Sequence, residues 1–301
     1  MKNSSIGLVA FVALTWATLQ PAWAQDMPLH DLLIPGEGWS LVAEGFKFTE
    51  GPAADDQGNL FFTDIPNNKI HKVDAQGKVS VFVENSQGAN GLMIGPEGKL
   101  FACQNSSKKI VAFDTEGNVQ TIAENVASND LVVLRRGDIY FTDPPGGKVW
   151  FIPLRGKPSV VADGLKPNGI IMWADQSTLV VTDRDEPHLW TFRMEADGKL
   201  SNKERYYMPL QLASGTERPG SDGMTIDQAG RLYVATRAGI QVFDPTGRPS
   251  GTILKPQNGP LSNVTFGGRD LQYLYSTTGD KVFRRKVNAK GVLYFLPSKQ
   301  P

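Results

Sequence analysis

Gly220-Ser221-Asp222-Gly223-Met224-Thr225-Ile226-Asp227-Gln228-Ala229-Gly230-Arg231-Leu232-Tyr233-Val234-Ala235-Thr236 reads as an acid beside a glycine, a short apolar strand, a polar turn and a second apolar strand. Four other stretches follow the same grammar closely and a sixth follows it loosely. Each opens on a side chain that offers an oxygen: Glu50-Gly51, Asn90-Gly91, Asn129-Asp130, Asn168-Gly169, Asp222-Gly223 and Asn263-Val264. Successive openings lie 40, 39, 39, 54 and 41 residues apart. A near-constant spacing of this size is the mark of a repeat architecture.

Within each unit the strands return in the same order. In the first they fall at residues 59–64, 69–74 and 79–83, with the glycine-bearing turn Ala75-Gln76-Gly77 between the last two. Alternating apolar runs bounded by such turns are strand and hairpin signals, and no stretch carries a helical period. Six units, each with three or four short strands, predict an all-β, six-bladed β-propeller. One end of the chain must supply the strand that closes the ring, and residues 39–43 and 292–296 both suit that task. Residues 25–39 read as an extended lead-in, since Pro28, Pro35 and Gly36 argue against a helix. The one long spacing carries residues 194–219, read as an outer strand followed by a loop over one face, where lids and specificity walls are built.

The amino terminus has the features of a cleavable signal peptide: Lys2, an apolar run from Ile6 to Leu19, and Ala22-Trp23-Ala24 before Gln25. Residues 1–24 are therefore set apart as a leader and 25–301 as one propeller domain, with a periplasmic or secreted destination. Basic and acidic residues number 31 each, so nucleic acid and anionic membrane surfaces are disfavoured as partners. Cys103 is the only cysteine. It falls in an apolar strand and reads as a small core residue, so packing rather than a disulfide holds the fold.

In a propeller the first strand of each blade lies nearest the axis, so the six opening residues should ring one mouth of the central channel. Glu50, Asn90, Asn129, Asn168, Asp222 and Asn263 all offer oxygen, and of these Glu50 and Asp222 are charged. Two carboxylates facing each other across a channel repel unless a cation sits between them. Hard oxygen donors with two negative charges suit Ca²⁺, with another divalent cation as the alternative. His30, His71 and His188 show no zinc spacing. The Thr-Asp endings at Asp64, Asp143 and Asp183 read first as turn-makers or inter-blade partners, and only then as ligands.

These segments also resemble the SMP-30/gluconolactonase/LRE family of six-bladed, calcium-dependent lactonases. The resemblance runs from about Glu44 to Tyr294. It rests on Thr49-Glu50-Gly51-Pro52, Ala89-Asn90-Gly91-Leu92, Ser128-Asn129-Asp130-Leu131, Tyr140-Phe141-Thr142-Asp143-Pro144-Pro145, Pro167-Asn168-Gly169, Ser221-Asp222-Gly223-Met224 and Asn263-Val264-Thr265-Phe266-Gly267-Gly268. It implies that Glu50, Asn129, Asn168 and Asp222 hold the metal. The basic residue that several members place ahead of the N-D asparagine is missing from residues 124–128 here. Arg184, Arg218 and Arg237 are candidates to replace it, with surface solvation favoured for each.

The expected activity is hydrolysis of a lactone, a sugar lactone by preference, with Asp222 as the base that activates water. Asn90 and Asn263 are expected to contact substrate or to sit behind the metal ligands. No G-x-S-x-G elbow is present, which disfavours a serine hydrolase. A same-fold esterase or phosphotriesterase is one alternative, and a non-catalytic periplasmic propeller that binds a ligand is another, since the fold alone hosts both.

Overall fold

The computed structural model describes residues 27–296. The signal-peptide assignment to residues 1–24 lies outside them. Six four-stranded antiparallel sheets form the blades of a propeller. Their innermost strands are Thr49–Ala54, Ala89–Ile94, Leu131–Val133, Pro167–Met172, Met224–Ile226 and Leu261–Gly267. Burial falls outward across each sheet. Leu60–Asp64, second in its blade, is buried throughout, whereas the outermost strand Val79–Val83 is largely exposed. The inner strands are sandwiched on both faces by neighbouring blades, which is why even their polar residues, such as Thr49 and Ser262, are buried.

The ring closes through the amino-terminal side. Ser40–Glu44 pairs antiparallel with Lys281–Lys286, with Leu41 opposite Phe283 and Ala43 opposite Val282. The other candidate, residues 292–296, does something different. It lies across one end of the channel, where Val292, Leu293, Tyr294 and Phe295 pack against Ala53, Leu92, Ile94 and Ile170 around a cavity of about 70 Å³. Tyr294 Oη donates to Met172 O at 2.7 Å, Gln176 Nε2 to Tyr294 O at 3.1 Å, and Arg135 Nε to Leu296 O at 3.0 Å.

The lead-in departs from expectation in one place, since Leu29–Leu32 forms a single helical turn. Pro28 stands just before it, where its missing N–H costs nothing. Buried Leu32, with Leu29 and Leu33, packs on the core of the fifth and sixth blades, and that packing outweighs the local sequence signal.

Each blade starts with a bulge. Pairing slips between Glu50 and Ala53, Ala89 and Leu92, Pro167 and Ile170, and Leu261 and Asn263. In the third blade Asn129 N–H donates to Thr142 O at 2.9 Å and Thr142 N–H to Asp130 O at 3.0 Å, so two residues oppose one. The fifth repeats this, with Asp222 and Gly223 opposing Ala235. Bulges of this kind re-aim side chains. The bulges also bring adjacent blades into close contact. A Cβ on Gly91 would strike Asp130 and the Asn129 carbonyl, and one on Gly223 would strike the Asn263 amide.

Candidate active site

The open mouth lies opposite the closed end. Asn168 and Asp222 line a cleft of about 820 Å³ there, together with Phe48, Ser221, Leu261 and Ser262. The segment after the outer strand Leu200–Glu204 supplies one wall through Ala213, Thr216 and Arg218. Buried Tyr207 and Leu210 anchor that segment. So does a reciprocal pair, in which Gln211 N–H donates to Gln241 Oε1 and Gln241 Nε2 to Gln211 O, both at 2.8 Å.

Below the cleft the structure brings Glu50, Asp130, Asp222 and Asn263 together. Asn263 Nδ2 donates to Glu50 Oε2 at 3.0 Å and approaches Asp130 Oδ2 at 3.5 Å, while its Oδ1 accepts Val264 N–H at 2.8 Å. The Asn263 side chain is thereby fixed and buried between two carboxylates. Glu50 also accepts the N–H of Gly51. Asn90 and Asn129 occupy the equivalent starts of their blades, half-buried, with no side-chain hydrogen bond among the described residues.

Asp130 was not singled out among the candidate site residues, and it adds a third acid to the group. It stands where Gly51, Gly91, Gly169 and Gly223 stand in other units, so the usable signal was an acid in a glycine position.

Electrostatics make this group unusual. Burial pushes the Glu50 carboxyl up to about 7 against the pull of the Gly51 and Asn263 donors. Burial and then the charge of Glu50 push Asp130 up to about 8. Asp222 opens onto the cleft yet is enclosed on its other sides. Burial, with the charges of Glu50 and Asp130, holds it well above the carboxylate range. Among the described residues no Lys, Arg or His lies close enough to offset their charge. Such a group takes up protons or a cation.

The donor chemistry fits a hard cation: two carboxylates, Glu50 and Asp222, with the amide oxygens of Asn129 and Asn168. Among the described residues no group of three or more His, Cys, Asp or Glu side chains could hold a metal ion by itself, and the fitting set relies on amides to complete it. His71, on the third strand of the first blade, is stacked on Phe62, and His188, just before the third strand of the fourth, packs edge-on against Trp190, both away from the axis. Of the Thr-Asp endings, Asp143 and Asp183 are turn-makers, whereas Asp64 ties down the segment that leads into the first blade. Asp64 accepts Lys47 and Phe48 N–H, Asp143 accepts Gly146 N–H and Trp150 Nε1, and Asp183 accepts Asp185 N–H and Trp190 Nε1. Cys103 is fully buried in the core of the second and third blades.

A ring of oxygen donors at one mouth of a six-bladed propeller defines a class, and the comparisons supply the family. Residues 48–280 match the SMP-30/gluconolactonase/LRE-like region. The chain belongs to that family. Over 296 aligned residues it is 28% identical to a gluconolactonase of Zymomonas mobilis, covering 83% of this chain and 82% of that one. It is 27% identical to a pentonolactonase of Haloferax volcanii over 251 residues, covering 79% and 84%. Among solved structures it resembles a gluconolactonase of Xanthomonas campestris, with a TM-score of 0.76, 25% identity and coverage of 86% and 92%.

Proposed function

We propose that the protein is a metal-dependent lactonase acting on a sugar lactone. The observation that carries the reading is the group of buried carboxylates, without basic partners, at the open end of the channel. The relatives named gluconolactonase and pentonolactonase support the substrate class. Glu50, Asn129, Asn168 and Asp222 would hold Ca²⁺ or a similar divalent cation. When bound, the ion supplies charge that polarises the lactone carbonyl and favours the oxyanion.

Asp222 is the residue for proton transfer, because it alone among the three acids lines the cleft. With its charge compensated it is ionised, and it takes a proton from the attacking water as the water oxygen bonds to the carbonyl carbon. When the tetrahedral intermediate collapses and the ring C–O bond breaks, the same carboxyl returns that proton to the departing ring oxygen. The product is the open-chain hydroxy acid. Asn263 bridges Glu50 and Asp130 through its amide N–H groups, and Asn90 would offer its amide to substrate.

A panel of small lactones, followed by proton release, tests the reading. Hydrolysis lost on chelation, restored by Ca²⁺ and absent from Asp222→Ala supports it. Hydrolysis that survives both chelation and the substitution removes it. We also propose that residues 1–24 are removed on export. The first described residues, from Met27 onward, include the helical turn packed on the propeller, so cleavage before Gln25 leaves that contact whole. The mass of the protein recovered from the cell envelope checks this.

A further inference from the structure

Above the carboxylates the cleft changes sign. Arg184, Arg218, Arg237 and Lys255 line it, against Asp185 and Asp222. Asp185 accounts for part of this charge, with Arg218 Nη1 at 3.0 Å and Arg184 Nε at 3.9 Å from its Oδ1. Lys255 is half-buried and donates to the Gly259 carbonyl at 2.9 Å, with no acid beside it. Arg237 has no acidic partner among the described residues.

The position of Arg237 is nevertheless built. Its N–H donates to Pro219 O at 2.9 Å. Its side chain lies against Gly220, where a Cβ would come 2.7 Å from Arg237 Nε and 2.9 Å from Cγ. Gly220 leaves that space, its φ of +55° favours glycine, and it stands two residues before Asp222. The guanidinium is thereby packed on the backbone that leads into the site.

A cationic rim works against the group beneath it. It repels an incoming metal ion, and a neutral lactone, though its hydroxyls can accept hydrogen bonds there, leaves the rim's charge uncompensated. It is suited to an anion, and the planar fork of arginine matches a carboxylate or a phosphate alike. We infer that this rim, with Arg237 as its principal contact, binds an anionic group, carboxylate or phosphate, on the part of the lactone remote from the ring carbonyl. The inference rests on the lactonase reading and adds the charge of the substrate to it. A cleft of about 820 Å³ has room for a sugar lactone with such a group.

The test compares matched lactones with the metal-loaded full chain: a neutral aldonolactone, the same ring carrying a terminal carboxylate, and the same ring carrying a terminal phosphate. At least one anionic lactone is expected to exceed the neutral one in kcat/KM by about tenfold, a ratio typical of one charge-assisted contact. Arg237→Ala should lower that ratio about tenfold, Arg237→Lys should restore part of it, and raising the salt to about 0.5 M should shrink it. Lys255→Ala is the second variant, with a smaller loss in the same direction. The preferred anion identifies the group. Turnover of neutral and anionic lactones at similar rates, or a ratio that Arg237→Ala and Lys255→Ala leave intact, overturns the inference while the lactonase reading stands. Failure to hydrolyse any lactone overturns both.

Discussion

The two ends of the central channel are made from the same six strands, a few residues apart. At the open end the strands begin with Glu50, Asn90, Asn129, Asn168, Asp222 and Asn263, and bulges turn these groups inward. At the other end the strands continue through Ala53, Leu92, Ile170 and Met224, and residues 292–295 pack over them. One end concentrates charge that the fold does not compensate. The other removes apolar surface from water as any core does. The contrast separates cost from support: the open end holds buried carboxyls whose ionised forms the fold disfavours, while the closed end contributes apolar burial that tolerates them.

Breaking the open end should have the largest effect. Asp222→Ala is expected to lower kcat/KM for lactone hydrolysis by about a thousandfold, the range for loss of a general base. The same variant in chelator should melt no lower than the parent, because it removes a buried carboxyl whose ionised form the metal-free fold disfavours. A large drop in melting temperature there would erase the distinction between the ends.

Breaking the closed end should do the reverse. Tyr294 is buried in the largest core cluster, and Tyr294→Ala is expected to cost about 3 kcal/mol in a denaturant titration. Below the melting range kcat/KM should stay within about twofold, since well-separated sites behave independently. A hundredfold loss would mean that the plug shapes the site.

The pH dependence of the metal-free protein sharpens the comparison. Glu50 rises from 4.5 to about 7 and Asp130 from 3.8 to about 8 on folding. Over that interval the folded chain binds more protons than the unfolded chain, so stability falls as pH rises. The contribution is fully present below the unfolded values and is lost as pH passes through the folded ones. In chelator the melting temperature should decline between about pH 5 and pH 8, and saturating Ca²⁺ should flatten the curve. A chelated protein as stable at pH 8 as at pH 5 would show the carboxylates to be compensated from within. The smallest effect belongs to Tyr294→Phe, which deletes the bond to Met172 O and should cost about 1 kcal/mol by the same titration.

The spacing of the oxygen-bearing residues revealed the blades because a blade is local, with strands joined by tight turns that leave marks in the sequence. Glu50 and Asp222 were legible as facing acids for the same reason. Asp130 was not, because reading inward and outward faces relies on strict alternation, and a bulge suspends alternation where the strand enters the channel. Of the cationic mouth, Arg184, Arg218 and Arg237 were legible as candidates, with surface solvation favoured, while Lys255 and their convergence were not. Arg184, Arg218, Arg237 and Lys255 come from loops of the fourth, fifth and sixth units, and no local pattern ties them together. The plug at residues 292–296 reads like a strand, yet it serves through side chains and three isolated hydrogen bonds.

The seam between Ser40–Glu44 and Lys281–Lys286 bears on how the molecule is made. Hydrogen bonds there join residues up to 244 positions apart, whereas the other five sheets pair strands that follow one another in sequence. Five blades can therefore assemble as each emerges, while the sixth waits for the last stretch of chain. Until then the circle is an open arc with an uncovered blade face at each end and with Ser40–Glu44 unpaired, the vulnerable stage for association with other chains. The amino-terminal strand is made first and used last, so the molecule becomes a closed circle in a single late step.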